Sequence, residues 1–236
     1  MRRRAEADKG AAAGGPAGGR RGAPPERGAV TTMKHVLLLA ALAGAASAQE
    51  IRVEDGLGSI DPAAVQAALD GASAELQGCY RTGAAGLRYV GGSVRVLVRV
   101  DLKGRVKRTE IGSSDLGSWA VERCLLGVAR HLALPAPKGG EAVVQIPLDF
   151  QAPSPPVDMS EAAARDAAAK LRGIYRCAGG PKSVPVTLYV AAGGAVTSAG
   201  FAAGGNEAWG DCASAKARAL RLEDPLGRVL KATVTP

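Results

Sequence analysis

The chain has 236 residues, of which 30 are Lys or Arg and 22 are Asp or Glu, a formal net charge of +8. Hydrophobic residues make up 47% and aromatic residues only 3%, so Ala, Val and Leu must build the core by close packing of small side chains. The charge does not point to nucleic acid: residues 1–48 hold 8 of the basic and 3 of the acidic residues, which leaves 22 against 19, a net of +3.

Of residues 1–32, 24 are Ala, Gly, Pro or Arg, with no hydrophobic period to bury. This segment reads as a disordered extension or, because a second Met stands at position 33, an upstream mis-start. Residues 33–48 read as a signal peptide. Met33 and Lys34 give a basic start, Val36 to Ala43 an apolar run, and Ala46-Ser47-Ala48 a small-x-small cleavage signal before Gln49. The run is well short of the ~20 residues of a spanning helix; an uncleaved anchor is the rival reading. No Cys follows it, which argues against a lipid anchor. The expectation is a periplasmic or secreted mature chain without a transmembrane segment.

From Asp61 the chain becomes periodic. Asp61 can cap a helix and Pro62 can stand in its first turn. Val65, Leu69, Ala72, Leu76 and Cys79 then recur at steps of three and four, which predicts an amphipathic helix with Cys79 on its buried stripe. Val94, Val96, Val98 and Val100 alternate with Arg95, Leu97, Arg99 and Asp101, a strand with one face buried. The turn Asp101-Leu102-Lys103-Gly104 returns the chain into a second strand through Val106 and Ile111. Ser118 opens a second helix with Val121, Cys124, Leu125 and Val128 inward, stopped by Pro135 and Pro137. A third strand carries Val143, Gln145 and Pro147 on one face and ends at Phe150. Pro147 cannot donate to a ladder, which makes this an edge strand.

Residues 151–159 form a proline-rich linker, after which the order returns. Ser160 caps a helix running to about Cys177, strands follow over 184–190 and 196–201, a helix holds Trp209 to Leu220, and a last strand runs to Val234. Val94, Val96, Val98, Val100, Gly104, Val106 and Trp119 match Val184, Val186, Leu188, Val190, Gly194, Val196 and Trp209 at a constant offset of 90. The shared Trp, Cys, Ala-Arg and turn glycine, in order, predict a duplicated unit. The fold class is thus α+β: two tandem α-β-β-α-β units, residues 49–150 and 160–236. Each is a three-stranded antiparallel sheet with two helices on one face, strand three returning beside strand one.

The mature part contains four cysteines, Cys79, Cys124, Cys177 and Cys212, and no C-x-x-C. In an oxidising compartment an even count suggests disulfides; buried free thiols, or a metal or catalytic role, are the other readings. With one Cys on each helix, bridges Cys79–Cys124 and Cys177–Cys212 would staple the helices of each unit.

Residues 60–150 resemble the TonB C-terminal-like domains, closest to the AgmX/PglI C-terminal domain family of gliding-motility proteins. The resemblance rests on Cys79-Tyr80, Gly104, Ser113-Ser114, Cys124, Leu134-Pro135-x-Pro137 with Gly139-Gly140, and Pro147-Leu148-Asp149-Phe150. Residues 160–236 are a degenerate copy without the Pro-x-Pro-x-Gly-Gly segment. The resemblance implies a non-enzymatic envelope module that pairs a partner peptide to a sheet edge. It leaves open an anchored energy-transducing or gliding-motility component, although no long proline-rich spacer precedes the domain.

Catalytic candidates are scarce. His131 is the only histidine of the mature part, the carboxylates are scattered, and no phosphate-cradling glycine motif follows a strand. The expectation is no enzyme, no cofactor, no metal and no nucleic-acid partner. The candidate contact residues are Val143, Gln145 and Pro147 on the edge strand, for an envelope protein or peptide. Arg95, Arg99 and Lys103 on the basic hairpin suit an acidic partner, the cell wall or lipopolysaccharide.

Overall fold

The computed structural model describes residues 52–53, 58–202 and 204–236. The extension 1–32 and the signal segment 33–48 lie outside the described residues. The first half runs β1 (Arg52–Val53), α1 (Pro62–Gly83), β2 (Gly92–Val100), β3 (Val106–Ser114), α2 (Trp119–Arg130) and β4 (Ala142–Phe150). The second runs β5 (Val157–Asp158), α3 (Glu161–Leu171), a 3₁₀ turn (Arg172–Arg176), β6 (Val186–Ala191), β7 (Ala195–Phe201), α4 (Glu207–Arg218) and β8 (Leu230–Val234). The helix, strand, strand, helix, strand order expected from the sequence is present in each half.

The helix starts follow local chemistry. Asp61 accepts the Ala63 N–H at 3.0 Å with Pro62 at the first position of α1, and Ser160 accepts the Ala163 N–H at 3.3 Å. The ends differ from expectation. α2 stops at Arg130, before Pro135, where His131 closes the helix and its Nδ1 lies 2.9 Å from the Gly127 carbonyl. The helix expected to reach Cys177 is α-helical only to Leu171. It then tightens into the 3₁₀ turn around Gly173, whose missing side chain lowers helical preference.

Each sheet has four strands, not three. The orders are β1-β4-β2-β3 and β5-β8-β6-β7, and each half adds a two-residue strand on the outside of its last strand. β1 is antiparallel to β4, while β5 is parallel to β8. As expected, β4 returns beside β2 and β8 beside β6. The hairpin glycines have matching surroundings. Gly104 and Gly194 both have positive φ, 80° and 69°. A Cβ on Gly104 would come within 2.5 Å of the Leu134 carbonyl oxygen, and one on Gly194 within 2.0 Å of that of Leu222. Each turn therefore packs on the chain leaving its half's second long helix, and only glycine fits.

Two disulfides are present, Cys79–Cys124 and Cys177–Cys212. They enclose 45 and 35 residues, for which chain entropy gives about 3–4 kcal/mol each. The first joins α1 to α2. The second joins the residue just after the 3₁₀ turn to α4, so Cys177 is not itself helical. Gly83 abuts Val121 while Cys79 bonds Cys124, so α1 and α2 run antiparallel. Gly180 abuts Trp209 while Cys177 bonds Cys212, the same antiparallel sense. Relative to the tryptophans and the Tyr-Arg pairs, the first Cys of the second half is shifted later and the second earlier. In antiparallel elements both shifts slide the staple the same way, by about one helical turn.

The halves do not form separate cores on either side of a linker. One cluster of buried side chains runs from Ile60 to Val234. The proline-rich segment lies against the fold, with the Ser154 N–H bonded to the Arg88 carbonyl and β5 at its end. β2 alternates as expected, with Val94, Val96, Val98 and Val100 buried. In β6, every residue from Val186 to Val190 is buried. Both faces of the second sheet are covered, one of them by the first half.

Candidate functional site

The junction shows which surfaces are already used. Tyr189 on β6 donates from its phenol to the backbone of the first half, lying 2.9 Å from the Gly91 carbonyl oxygen and 3.1 Å from that of Leu116. Burial pushes this phenol up to about 12. Ser198 donates to the Gly117 carbonyl at 2.7 Å, and the Lys231 ammonium donates to the Gly91 carbonyl at 2.8 Å. Trp119 of α2 meets Phe201 edge-on at 6.2 Å, and Phe201 meets Trp209 at 5.2 Å. The Trp119 Nε1–H donates to Asp211 at 2.8 Å, Arg123 pairs with Asp211 and Glu207, and Arg130 pairs with Glu207. The arginine of the repeated Ala-Arg is thus, in the first half, an inter-half ion pair.

Glu122 is fully buried at the centre of this junction. It lies in the first turn of α2 and folds back on the helix start, where the Gly117 and Ser118 backbone lies against its carboxyl. The Ser114 hydroxyl donates to Oε1 at 2.7 Å and the Phe201 N–H to Oε2 at 2.9 Å. Burial outweighs these bonds and raises the carboxyl to about 7.

Among the described residues the corresponding face of the first sheet is open. At the offset of 90, Thr187 and Tyr189 match Leu97 and Arg99; the former pair is buried against the first half, whereas Arg99 is exposed and Leu97 half-buried. Register places Arg95 opposite Pro147, Leu97 opposite Gln145 and Arg99 opposite Val143. Five of the six candidate contact residues therefore share one sheet face. Val143 is buried, as the floor of a shallow hollow of about 80 Å³ lined by Leu97, Arg99, Arg108 and Glu110. The stems of the two arginines cover it, so it is no exposed contact. Lys103 stands apart on the hairpin tip. Asp101 accepts the Lys103 and Arg105 N–H groups at 2.8 and 2.9 Å, and bonds led by the Arg105 N–H hold its carboxyl below the usual range. Arg105, Lys107 and Arg108 pair with Asp101, Glu141 and Glu110. Among the described residues Arg95, Arg99 and Lys103 have no carboxylate partner.

β4 is not the bare edge that Pro147 suggested, because β1 pairs with it at Val144 and Gln145. Among the described residues, Ile146 to Leu148 carry no strand on that side. Here lies a groove of about 260 Å³, lined by Leu69 and Leu76 of α1 and by the run Pro147 to Phe150 of β4. Successive strand residues point to opposite faces, so a groove touching four in a row lies along the strand's edge.

Among the described residues no group of three or more His, Cys, Asp or Glu side chains could hold a metal ion, and no helix is long and apolar enough to cross a membrane. The two disulfides fit an extracellular or periplasmic compartment. The junction residues Glu122, Asp211, Tyr189 and Lys231 were not singled out from the sequence. Glu122 had one faint signal, an acid following Ser118 at a helix start. No family model, no curated protein and no solved structure matches the chain.

Proposed function

We infer that this chain is a non-enzymatic binding module of the cell envelope. In this reading it is exported to the periplasm or beyond after cleavage near Ala48-Gln49, and engages a protein or peptide partner by strand addition along β4. The observation that carries the reading is the apolar groove along β4, where among the described residues Ile146 to Leu148 carry no outer strand. An added strand takes main-chain hydrogen bonds from an edge and specificity from pockets for alternate side chains. Leu69, Leu76 and Leu148 would receive apolar residues on one side of that strand. Arg95, opposite Pro147, and Arg99 favour acidic residues on the other.

The two halves are read as copies of one α-β-β-α-β unit. The shared strand order, the two staples and the matched environments of Gly104 and Gly194 support this. The second copy has given its outer sheet face to the first half, and the first copy has kept its own for a partner. The resemblance to the TonB C-terminal-like and AgmX/PglI C-terminal domains agrees with a partner-binding role.

Capture from envelope extract tests the reading. Wild-type protein should retain a defined partner that Leu76→Lys loses and Lys103→Glu keeps. Partners indifferent to the groove would refute it. Arg95, Arg99 and Lys103, without a carboxylate partner among the described residues, favour a second reading, binding to cell wall or lipopolysaccharide. Co-sedimentation with cell-wall sacculi or lipopolysaccharide, abolished by replacing those three residues, would select it.

A further inference from the structure

Among the described residues three large hydrophobic side chains stand exposed: Leu102 at 64%, Val157 at 45% and Leu226 at 86%. Leu102 is on the β2–β3 turn. The other two belong to a single groove of about 460 Å³ in the second half, between α3 and the segment leading into β8. We propose that this groove receives the β2–β3 hairpin tip of a second copy of the chain, so that the protein associates head to tail.

The two surfaces are complementary in polarity and in charge. The groove has Val157, Leu226 and Leu230 as apolar lining and Asp158, Glu223 and Asp224 as acidic lining, with Arg228 its one cation. Among the described residues Asp158 and Glu223 have no cationic partner. The hairpin presents Leu102 beside Lys103, which has no carboxylate partner among the described residues; Arg105 and Lys107 nearby are paired with Asp101 and Glu141. Opposite charges around matched apolar centres set orientation and speed encounter.

Leu226 is held ready for burial. Its φ of 53° lies in the left-handed region that favours glycine, and Asp224 fixes the turn by accepting the Leu226 N–H at 2.9 Å. An exposed leucine in a strained turn is costly for an isolated molecule and useful at a contact. No hairpin residue lines the groove, so the contact joins two different surfaces and repeats from copy to copy. Both complements reside on one chain, which makes a second copy the occupant.

Sedimentation velocity of the purified disulfide-bonded protein, over a concentration series, tests this. The average mass should climb past that of a dimer and fall back on adding salt. Leu102→Asp and Leu226→Gly should each be monomeric with an unchanged circular dichroism spectrum, since both sites are exposed and the second relieves the positive φ. Mixed in equal amounts, the two variants should double in mass and go no further, because one intact hairpin then meets one intact groove. A wild type that stays monomeric up to millimolar concentration overturns the proposal, even if a basic apolar peptide binds the groove. Association that both variants retain, or a mixture that stays monomeric, also overturns it.

Discussion

The Phe201 N–H, on the last residue of β7, donates at 2.9 Å to the carboxyl of Glu122, 79 residues earlier in the chain. This bond ties the second sheet to the helix start of the first half and gives the fold a titratable centre. With its pKa raised to about 7, Glu122 keeps in the folded state a proton that an ordinary glutamate, near 4.5, has released. Its contribution is therefore full below about pH 4.5 and is lost as pH rises through 7. The loss is about 1.4 kcal/mol per pH unit, roughly 3 kcal/mol in all. Glu122→Gln should remove this slope. Urea midpoints from pH 4.5 to 8 measure it, and parallel curves for wild type and variant would refute the assignment.

One core spans both halves, so unfolding should be a single transition. Calorimetry should give one peak with calorimetric and van't Hoff enthalpies equal. Removing either disulfide, by Cys79→Ser with Cys124→Ser or Cys177→Ser with Cys212→Ser, should lower that one peak by the equivalent of about 3–4 kcal/mol. Two resolved peaks, with only one shifting, would mean independent halves.

Tyr189→Phe removes a phenol that bonds two carbonyls of the first half. The expected cost is about 1–3 kcal/mol, because buried acceptors lose their donor. Tyr89→Phe, which loses one part-buried bond to Thr197, should cost about 1 kcal/mol. Both bonds cross the junction, so equal losses in chemical denaturation would show that burial of the Tyr189 acceptors adds nothing. The phenol's rise to about 12 also means that its stabilisation holds below pH 10 and disappears as pH passes through 12.

Gly104→Ala should destabilise by more than about 1 kcal/mol, since its φ is positive and a neighbouring carbonyl occupies the Cβ position. Gly71→Ala, in the middle of α1 with open space around it, should stabilise by about 0.5–1 kcal/mol. Thermal melts of the pair give the two opposite signs directly.

Local patterns carried the elements well. The Val94 to Val100 alternation, the Asp61 cap and the hairpin glycine each depend on neighbours a few residues away, and each reads directly from the chain. The turn glycines fall at the offset of 90, whereas the cysteines slip from it and their pairing followed from placing one Cys on each helix. The junction was not legible, because its chemistry is non-local. Thr187 and Tyr189 sit at positions that alternation assigns to solvent, and only the approach of Gly91, Leu116 and Gly117 makes them interior. Pro147 pointed to an edge strand, but β4 lies between β1 and β2. It could not signal that Arg52–Val53 would pair beside it, since two residues have no periodicity. The recurring arginine had no local explanation either, since Arg130 finds its carboxylate on α4, 77 positions away.

The reach from Glu122 to Phe201 orders events on a vectorially delivered chain. A first half delivered ahead of the second can close Cys79–Cys124 from its own residues. It cannot bury Glu122 or cover Trp119 until β7 has followed. During that interval it exposes an apolar surface with a carboxyl at its centre, the stage at which a chaperone or protease would recognise it. The later segment acts as a latch on the earlier one, so a chain cut in the 151–159 stretch should yield two unfinished pieces.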